Sequence, residues 1–87
     1  MKMIVNKNYS IRKNKDYTLL INICNNEEIY LLENSSKIII DNIGKNKGEI
    51  INTIIKKYNV KRSIAEYDYE NFINILAKNK ILELKDE

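Results

Sequence analysis

The chain is short and mildly basic, with 87 residues, 15 Lys and Arg against 12 Asp and Glu, and 44% apolar residues. This size predicts a single domain over residues 1–87 that buries a modest core of its own. The sequence has no histidine, one cysteine and two glycines, which excludes histidine catalysis, an intramolecular disulfide, a thiolate metal cluster and a glycine-rich phosphate loop, so we expect no metal and no cofactor.

The first third of the sequence predicts a small antiparallel sheet. Residues 1–8 are polar and predict a loose lead-in. The pair Asn25-Asn26 predicts a hairpin turn, because asparagine tolerates a positive φ. Alternating apolar residues and a β-branched composition predict three strands, at Tyr9–Arg12, Tyr17–Ile23 and Glu28–Leu32.

The spacing of apolar residues changes after residue 33 and predicts helices. Residues 34–36 offer three candidate N-caps for a two-turn helix, and Gly44 is a candidate stop signal for it. A second helix is predicted to begin at Asn46, whose spacing from Glu49 is that of a capping box, and to end at Tyr58.

A third helix is predicted to begin at Ser63, which has the same capping-box spacing from Glu66. Residues 78–84 end this helix and predict a last extended segment. The order of elements predicts an α+β, winged-helix-like fold in which a three-stranded antiparallel sheet is followed by three helices. The apolar stripe of the third helix consists of Ala65, Tyr69, Phe72, Ile73 and Leu76.

Two features could carry chemistry, and neither predicts an enzyme. The third helix opens with Glu66, Asp68 and Glu70, but the sequence offers these carboxylates no histidine and no metal cluster for acid–base catalysis. We expect Glu66 and Glu70 to stabilise the first helical turn through the helix dipole, and leave a binding role open for Asp68. Cys24 lies in an apolar context and is expected to be a small buried residue.

The distribution of charge bears on nucleic-acid binding. Residues 45–62 hold six basic residues against Glu49 alone, whereas the third helix opens with carboxylates. A winged-helix DNA-binding protein would need basic residues on that helix to meet phosphates. We therefore expect no nucleic acid as a partner, while a DNA-binding protein and an unrelated small adaptor domain remain alternatives.

Several short motifs occur in the order of a known family. The sequence resembles the PqqD-like precursor-peptide recognition elements of pathways that make ribosomally synthesised, modified peptides. The resemblance covers about residues 9–83, and residues 57–76 are similar to the free-standing recognition proteins of lasso-peptide pathways. Departures are Glu33 in place of the usual Asn, Tyr69 in place of a branched aliphatic residue, and Asn79 in place of Gly. The motifs are Tyr30-Leu31-Leu32-Glu33, Ser35-Ser36, Ile39, Gly44, Glu49-Ile50, Tyr58, residues 68–76 and residues 79–82.

The resemblance implies a non-catalytic binding protein. Such domains capture the leader segment of a precursor peptide as an added strand on the third strand, beside the third helix, and present it to a maturation enzyme such as a leader peptidase or a radical enzyme. No apolar run is long enough to cross a membrane and no signal peptide is evident, so we expect a cytoplasmic protein without a membrane partner. The predicted peptide-binding residues are Ile29, Tyr30, Leu31, Leu32, Glu33, Asp68, Tyr69, Phe72, Ile73 and Leu76.

Overall fold

The computed structural model describes residues 2–25 and 28–85. In these residues the chain forms a three-stranded antiparallel sheet, three helices and a separate pair of strands. The α+β fold with three sheet strands followed by three helices is therefore confirmed. The elements are β1 Lys2–Val5, β2 Tyr9–Lys13, β3 Thr18–Asn22, β4 Ile29–Leu32, α1 Ser35–Asp41, α2 Lys47–Tyr58, α3 Arg62–Lys78 and β5 Leu82–Lys85.

The main sheet has the order β2-β3-β4, so β3 is central and β4 lies at an edge. Each predicted strand is present and shifted by one residue at most at either end. The predicted turn at Asn25-Asn26 lies partly outside the described residues, because Asn26 is not among them. In the β3–β4 register, Leu20 is opposite Tyr30 and Thr18 is opposite Leu32 on one face, while Leu19 is opposite Leu31 and Ile21 is opposite Ile29 on the other.

The two ends of the chain form the second sheet, and this corrects the prediction of a loose lead-in. Strand β1 pairs antiparallel with β5, with Val5 opposite Leu82. The backbone N–H of Asn6 continues the connection by donating to the Ile81 carbonyl at 2.7 Å. The partner strand lies about eighty residues away in sequence, so local composition carried no sign of it. The predicted extended segment at the end of the chain is β5.

The helices cover one face of the main sheet and bury an isoleucine-rich core. Leu20 of the central strand is fully buried beneath them. Helix α1 is tied to β3 by Thr18, which donates to Asp41 Oδ1 at 2.7 Å and accepts from Lys37 Nζ at 3.2 Å. Because Thr18 is completely buried, this pairing avoids the cost of an unsatisfied hydroxyl group.

The helix ends agree with the predictions in part. Asn46 caps α2 as predicted, since its Oδ1 accepts from the Glu49 backbone N–H at 2.9 Å. Helix α3 instead begins at Arg62, with no side-chain cap, so the prediction that Ser63 caps it is wrong. The first turn consequently holds no acidic residue, which also contradicts the dipole role expected for Glu66 and Glu70.

Two further predictions require correction. Helix α1 ends at Asp41 rather than at Gly44, and the Asn42 side chain closes it by donating to the Ile38 carbonyl at 2.7 Å. Cys24 is exposed rather than buried. It is exposed because β3 ends at Asn22, which places the thiol in the following turn.

Candidate functional site

One edge of the main sheet is open. Within the described part of the chain, β4 pairs with β3 on one side and with no strand on the other. An edge strand presents unpaired backbone N–H and C=O groups that can bond a further strand. The four residues Ile29–Leu32 include no proline and no charged side chain that would block such pairing.

The two faces of β4 differ in burial, as the predicted alternation of side chains requires. Leu32 is buried and Tyr30 is half-buried against the helices. Ile29 and Leu31 point to the opposite face, where 54% and 56% of their surfaces are exposed. The open edge is therefore flanked by apolar side chains on both faces of the sheet.

Helix α3 divides into a buried face and a margin. Of the predicted site residues, Tyr69, Ile73 and Leu76 lie in the core and are at most 8% exposed. Asp68 and Phe72 are half-buried at its border. The structure thus separates the α3 part of the predicted site into three residues that hold the helix in place and two whose side chains are partly accessible.

The accessible margin of α3 is longer than the sequence analysis recognised. Ile64 and Ile75 are each 48% exposed, and the spacings from Ile64 to Asp68, Phe72 and Ile75 are four, eight and eleven residues. Because each residue turns the helix by about 100°, these four side chains lie within about 80° of one another around the helix axis. We call Ile64, Asp68, Phe72 and Ile75 the α3 flank. The spacing of the two isoleucines from Asp68 and Phe72 was the signal that could have identified them.

A cavity joins the end of β4 to the α3 flank. It has a volume of about 230 Å³. Asn34 and Ser35, which follow β4 after Glu33, line it together with Asp68. Of the α3 flank, Asp68 therefore lies near the residues that follow β4. We call this cavity the end pocket; its remaining lining residues are Ile54, Tyr58 and Val60.

The opposite end of β4 carries a hydrogen-bonded carboxylate. Oε1 of Glu28 accepts from the hydroxyl groups of Tyr9 at 2.6 Å and Tyr30 at 2.7 Å, and Oε2 accepts from Asn22 Nδ2 at 3.0 Å. The hydrogen bond to Glu28 raises the pKa of Tyr9 to about 12, and the same bond lowers the pKa of Glu28. These contacts link all three strands of the main sheet and fix the Tyr30 ring. This cluster was not predicted from the sequence.

The three acidic residues of α3 do not form one site. Glu70 makes an ion pair with Lys47, whose Nζ also lies 5.7 Å from the centre of the Tyr69 ring. Lys47 has a raised pKa, first because of its hydrogen bond to Glu70. Asp68, in contrast, has no hydrogen-bond or ion-pair partner among the described residues. Asp68 is therefore the carboxylate of α3 that is available beside β4.

Other kinds of site lack support in the described residues. Residues 2–25 and 28–85 contain no group of three Cys, Asp or Glu side chains arranged to hold a metal ion. None of the described helices is both long enough and apolar enough to cross a membrane. The open edge, the α3 flank and the end pocket form the candidate site.

The same fold occurs in a solved structure of TbiB1 in complex with the TbiA(beta) leader peptide. The two chains superpose with a TM-score of 0.81 at 24% sequence identity, and the similarity covers the whole length of both. The fold implied by the sequence resemblance is therefore confirmed. No protein-family model matches the chain, and no curated protein sequence does.

Proposed function

We propose that the protein binds the leader segment of a ribosomally synthesised precursor peptide and belongs to the precursor-peptide recognition elements. The observation that supports this most directly is the open, apolar-flanked edge of β4, in a fold shared with a protein that was solved with a leader peptide. In this proposal the leader adds to the sheet as a fourth strand along Ile29–Leu32, beside α3.

In strand addition, the backbone and the side chains make different contributions to binding. Backbone hydrogen bonds to β4 supply affinity with little dependence on sequence, and the pockets for alternate side chains set the register. Side chains on one face of the bound strand would meet Tyr30, Leu32 and the α3 flank. Those on the other face would lie beside Ile29 and Leu31, where cross-strand apolar pairs contribute roughly 0.2–1 kcal/mol each.

The predicted binding residues take two roles in this proposal. Ile29, Tyr30, Leu31, Leu32 and Glu33 border the added strand directly. On α3, Asp68 and Phe72 would contact the leader, together with Ile64 and Ile75. The buried residues Tyr69, Ile73 and Leu76 would act by holding α3 at its distance from β4.

We propose a carrier and not a catalyst. The sequence offers no histidine; in the fold Glu70 is paired with Lys47, while Asp68 lines the end pocket. The bound leader would be delivered to a separate maturation enzyme, such as a leader peptidase or a radical enzyme. Since precursor peptides of this kind are made on ribosomes, capture is expected in the cytoplasm.

Nucleic-acid binding is the main competing function, and the charge of α3 argues against it. Glu66, Asp68 and Glu70 all lie on this helix, with Lys78 as the next basic residue after Arg62. Phosphate contacts would require the opposite charge. A gel-shift titration with duplex DNA at moderate salt is expected to show no complex, and a stable complex there would favour the DNA-binding alternative.

The test of leader capture starts from an mRNA-displayed library of random 16-residue peptides selected on the immobilised protein. A selected peptide is expected to slow amide hydrogen exchange in residues 29–32, because strand addition gives their free backbone groups partners. The other edge of the sheet, at residues 9–13, is the internal control. Protection confined to the β2 edge, or recovery of no binding peptide, would contradict the proposal.

A further inference from the structure

We propose that the end pocket is a subsite for a basic side chain, lysine or arginine, of the bound peptide, with Asp68 as its charge partner. This inference rests on the proposed function. Beyond binding as a strand, the captured peptide would need a basic residue at one defined position. The juxtaposition that carries it is an unpartnered carboxylate beside apolar walls at the end of an open strand.

The walls of the end pocket fit a long side chain with an apolar stem and a polar tip. Ile54, Val60 and Tyr58 form the apolar part, while Asn34, Ser35 and Asp68 supply oxygen atoms and an amide. Lysine and arginine bury their methylene stems on apolar surface and keep the charged group near a polar partner. A purely apolar side chain would leave the polar lining without partners.

The charge of the end pocket favours a cation. Asp68 is half-buried and has no partner within the described residues. Partial burial weakens the screening of its charge by solvent, so a cation beside it gains more than it would at an exposed carboxylate. The pocket lies both at the C-terminus of α2 and at the N-terminus of α1, whose partial charges are opposite, so the charge of Asp68 decides the preference.

The neighbouring cations do not occupy this site. Lys57, Lys61 and Arg62 are close to the end pocket in sequence, but each is exposed and none lines it. The guanidinium of Arg62 donates instead to Asn52 Oδ1 at 2.9 Å. Among the residues that the structure describes, the carboxylate of Asp68 is thus the one charged group that lines the end pocket.

The backbone at Asn34 is strained where it lines the end pocket. Asn34 has φ 58° and ψ −132°, a conformation that is unfavourable for any residue other than glycine. Its side chain makes no capping hydrogen bond to α1, although it occupies the N-cap position. Strained residues of this kind cluster at binding sites. Here the strained residue lines the end pocket.

The position of the end pocket also predicts a pattern in the sequence of the captured peptide. Tyr30 and Leu32 are alternate residues of β4 on the side of the sheet that faces the helices, and Asn34, two residues beyond Leu32, lines the end pocket. A peptide strand beside β4 would therefore place two alternate side chains near Tyr30 and Leu32 and the next alternate one in the end pocket. We expect the captured segment to carry apolar residues at two alternate positions and Lys or Arg at the third.

The test uses the displayed library of random 16-residue peptides on the full-length protein. The wild-type pool should become enriched in Lys or Arg at the third alternate position. In a selected peptide, replacing that residue with norleucine should weaken binding to the wild-type protein about tenfold, the value of one charge-assisted hydrogen bond at a partly exposed site. This measurement needs no protein variant.

Protein variants then assign the effect to Asp68. The Asp68→Asn variant keeps the size of the side chain. It should bind the selected peptide and its norleucine derivative with the same affinity. The Glu70→Gln variant is the matched control, since it removes the same charge two residues away. It should still bind the selected peptide more tightly than the norleucine derivative. Selection on Asp68→Lys should reverse the preference toward Asp or Glu.

The outcomes separate this inference from the proposed function. Selected peptides that protect residues 29–32 but show no basic preference would overturn the subsite and leave leader capture standing. Enrichment of tyrosine at the third position would likewise overturn it, by showing that the pocket takes a hydrogen-bonding ring. Recovery of no binding peptide would overturn both.

Discussion

Replacing Leu31 with glutamate is the substitution that tests the open edge most directly. The side chain of Leu31 is 56% exposed, so somewhat less than half of it contributes to folding stability. Complete burial of a leucine is worth about 1.5–3 kcal/mol. The variant should therefore lose about 1 kcal/mol of unfolding free energy and remain folded. An added strand would cover the exposed part, so Leu31→Glu should also lose about 1–2 kcal/mol of binding free energy, which is roughly 5- to 30-fold in Kd.

The matched control is Ser10→Glu. It introduces the same charge on the same face of the sheet, but on β2 at the opposite edge, since Ser10 is opposite Ile21 in the β2–β3 register. Fluorescence anisotropy with a labelled selected peptide gives Kd for both variants, and urea unfolding gives their stabilities. A Kd for Leu31→Glu within twofold of the wild-type value, or an equal loss of affinity in Ser10→Glu, would contradict this prediction.

The remaining predictions concern stability. The pKa of Tyr9 rises to about 12 in the folded state, so the stability that its bond to Glu28 contributes is complete below pH 10 and is lost as the pH rises toward 12. The Tm advantage of the wild type over Tyr9→Phe should shrink across that interval, and a constant difference would contradict this. Ile73→Asp places a carboxylate in the core and should cost about 3–5 kcal/mol in urea unfolding, so a loss below 1 kcal/mol would show that Ile73 is accessible. Asn46→Ala should cost about 1 kcal/mol through loss of the α2 cap, whereas Ser63→Ala should cost less than about 0.5 kcal/mol, and equal losses would restore Ser63 as a cap.

The parts of the fold that the sequence predicted correctly are those that local patterns specify. The change from alternating to helical spacing near residue 33 marks the boundary between sheet and helices, and Asn46 with Glu49 marks the start of α2. Ser63 with Glu66 has the same spacing and fails, because the backbone becomes helical one residue earlier, at Arg62. Capping-box spacing shows that a cap is possible, while the packing of α3 decides where the helix begins.

The candidate site was less predictable, because it depends on how far α3 is rotated about its axis. Periodicity showed that Tyr69, Phe72, Ile73 and Leu76 share one face, but it could not show which of them lie at the centre of the buried face and which at its border. That division depends on contacts with elements distant in sequence. The hydroxyl of Tyr69, for example, lies 3.6 Å from the sulfur of Met3 in β1. The pairing of β1 with β5 was hidden for the same reason.

An open apolar edge can promote aggregation as well as bind a peptide, and the ends of β4 bear on both. Exposed edges promote pairing between copies of the same chain unless they are short or charged. Strand β4 has only four residues, and the carboxylates of Glu28 and Glu33 adjoin its two ends. These charges disfavour a second copy of β4, which would bring the same carboxylates. In the proposed complex they would favour a strand with basic residues beyond an apolar centre, which is the kind of peptide that we propose for the end pocket.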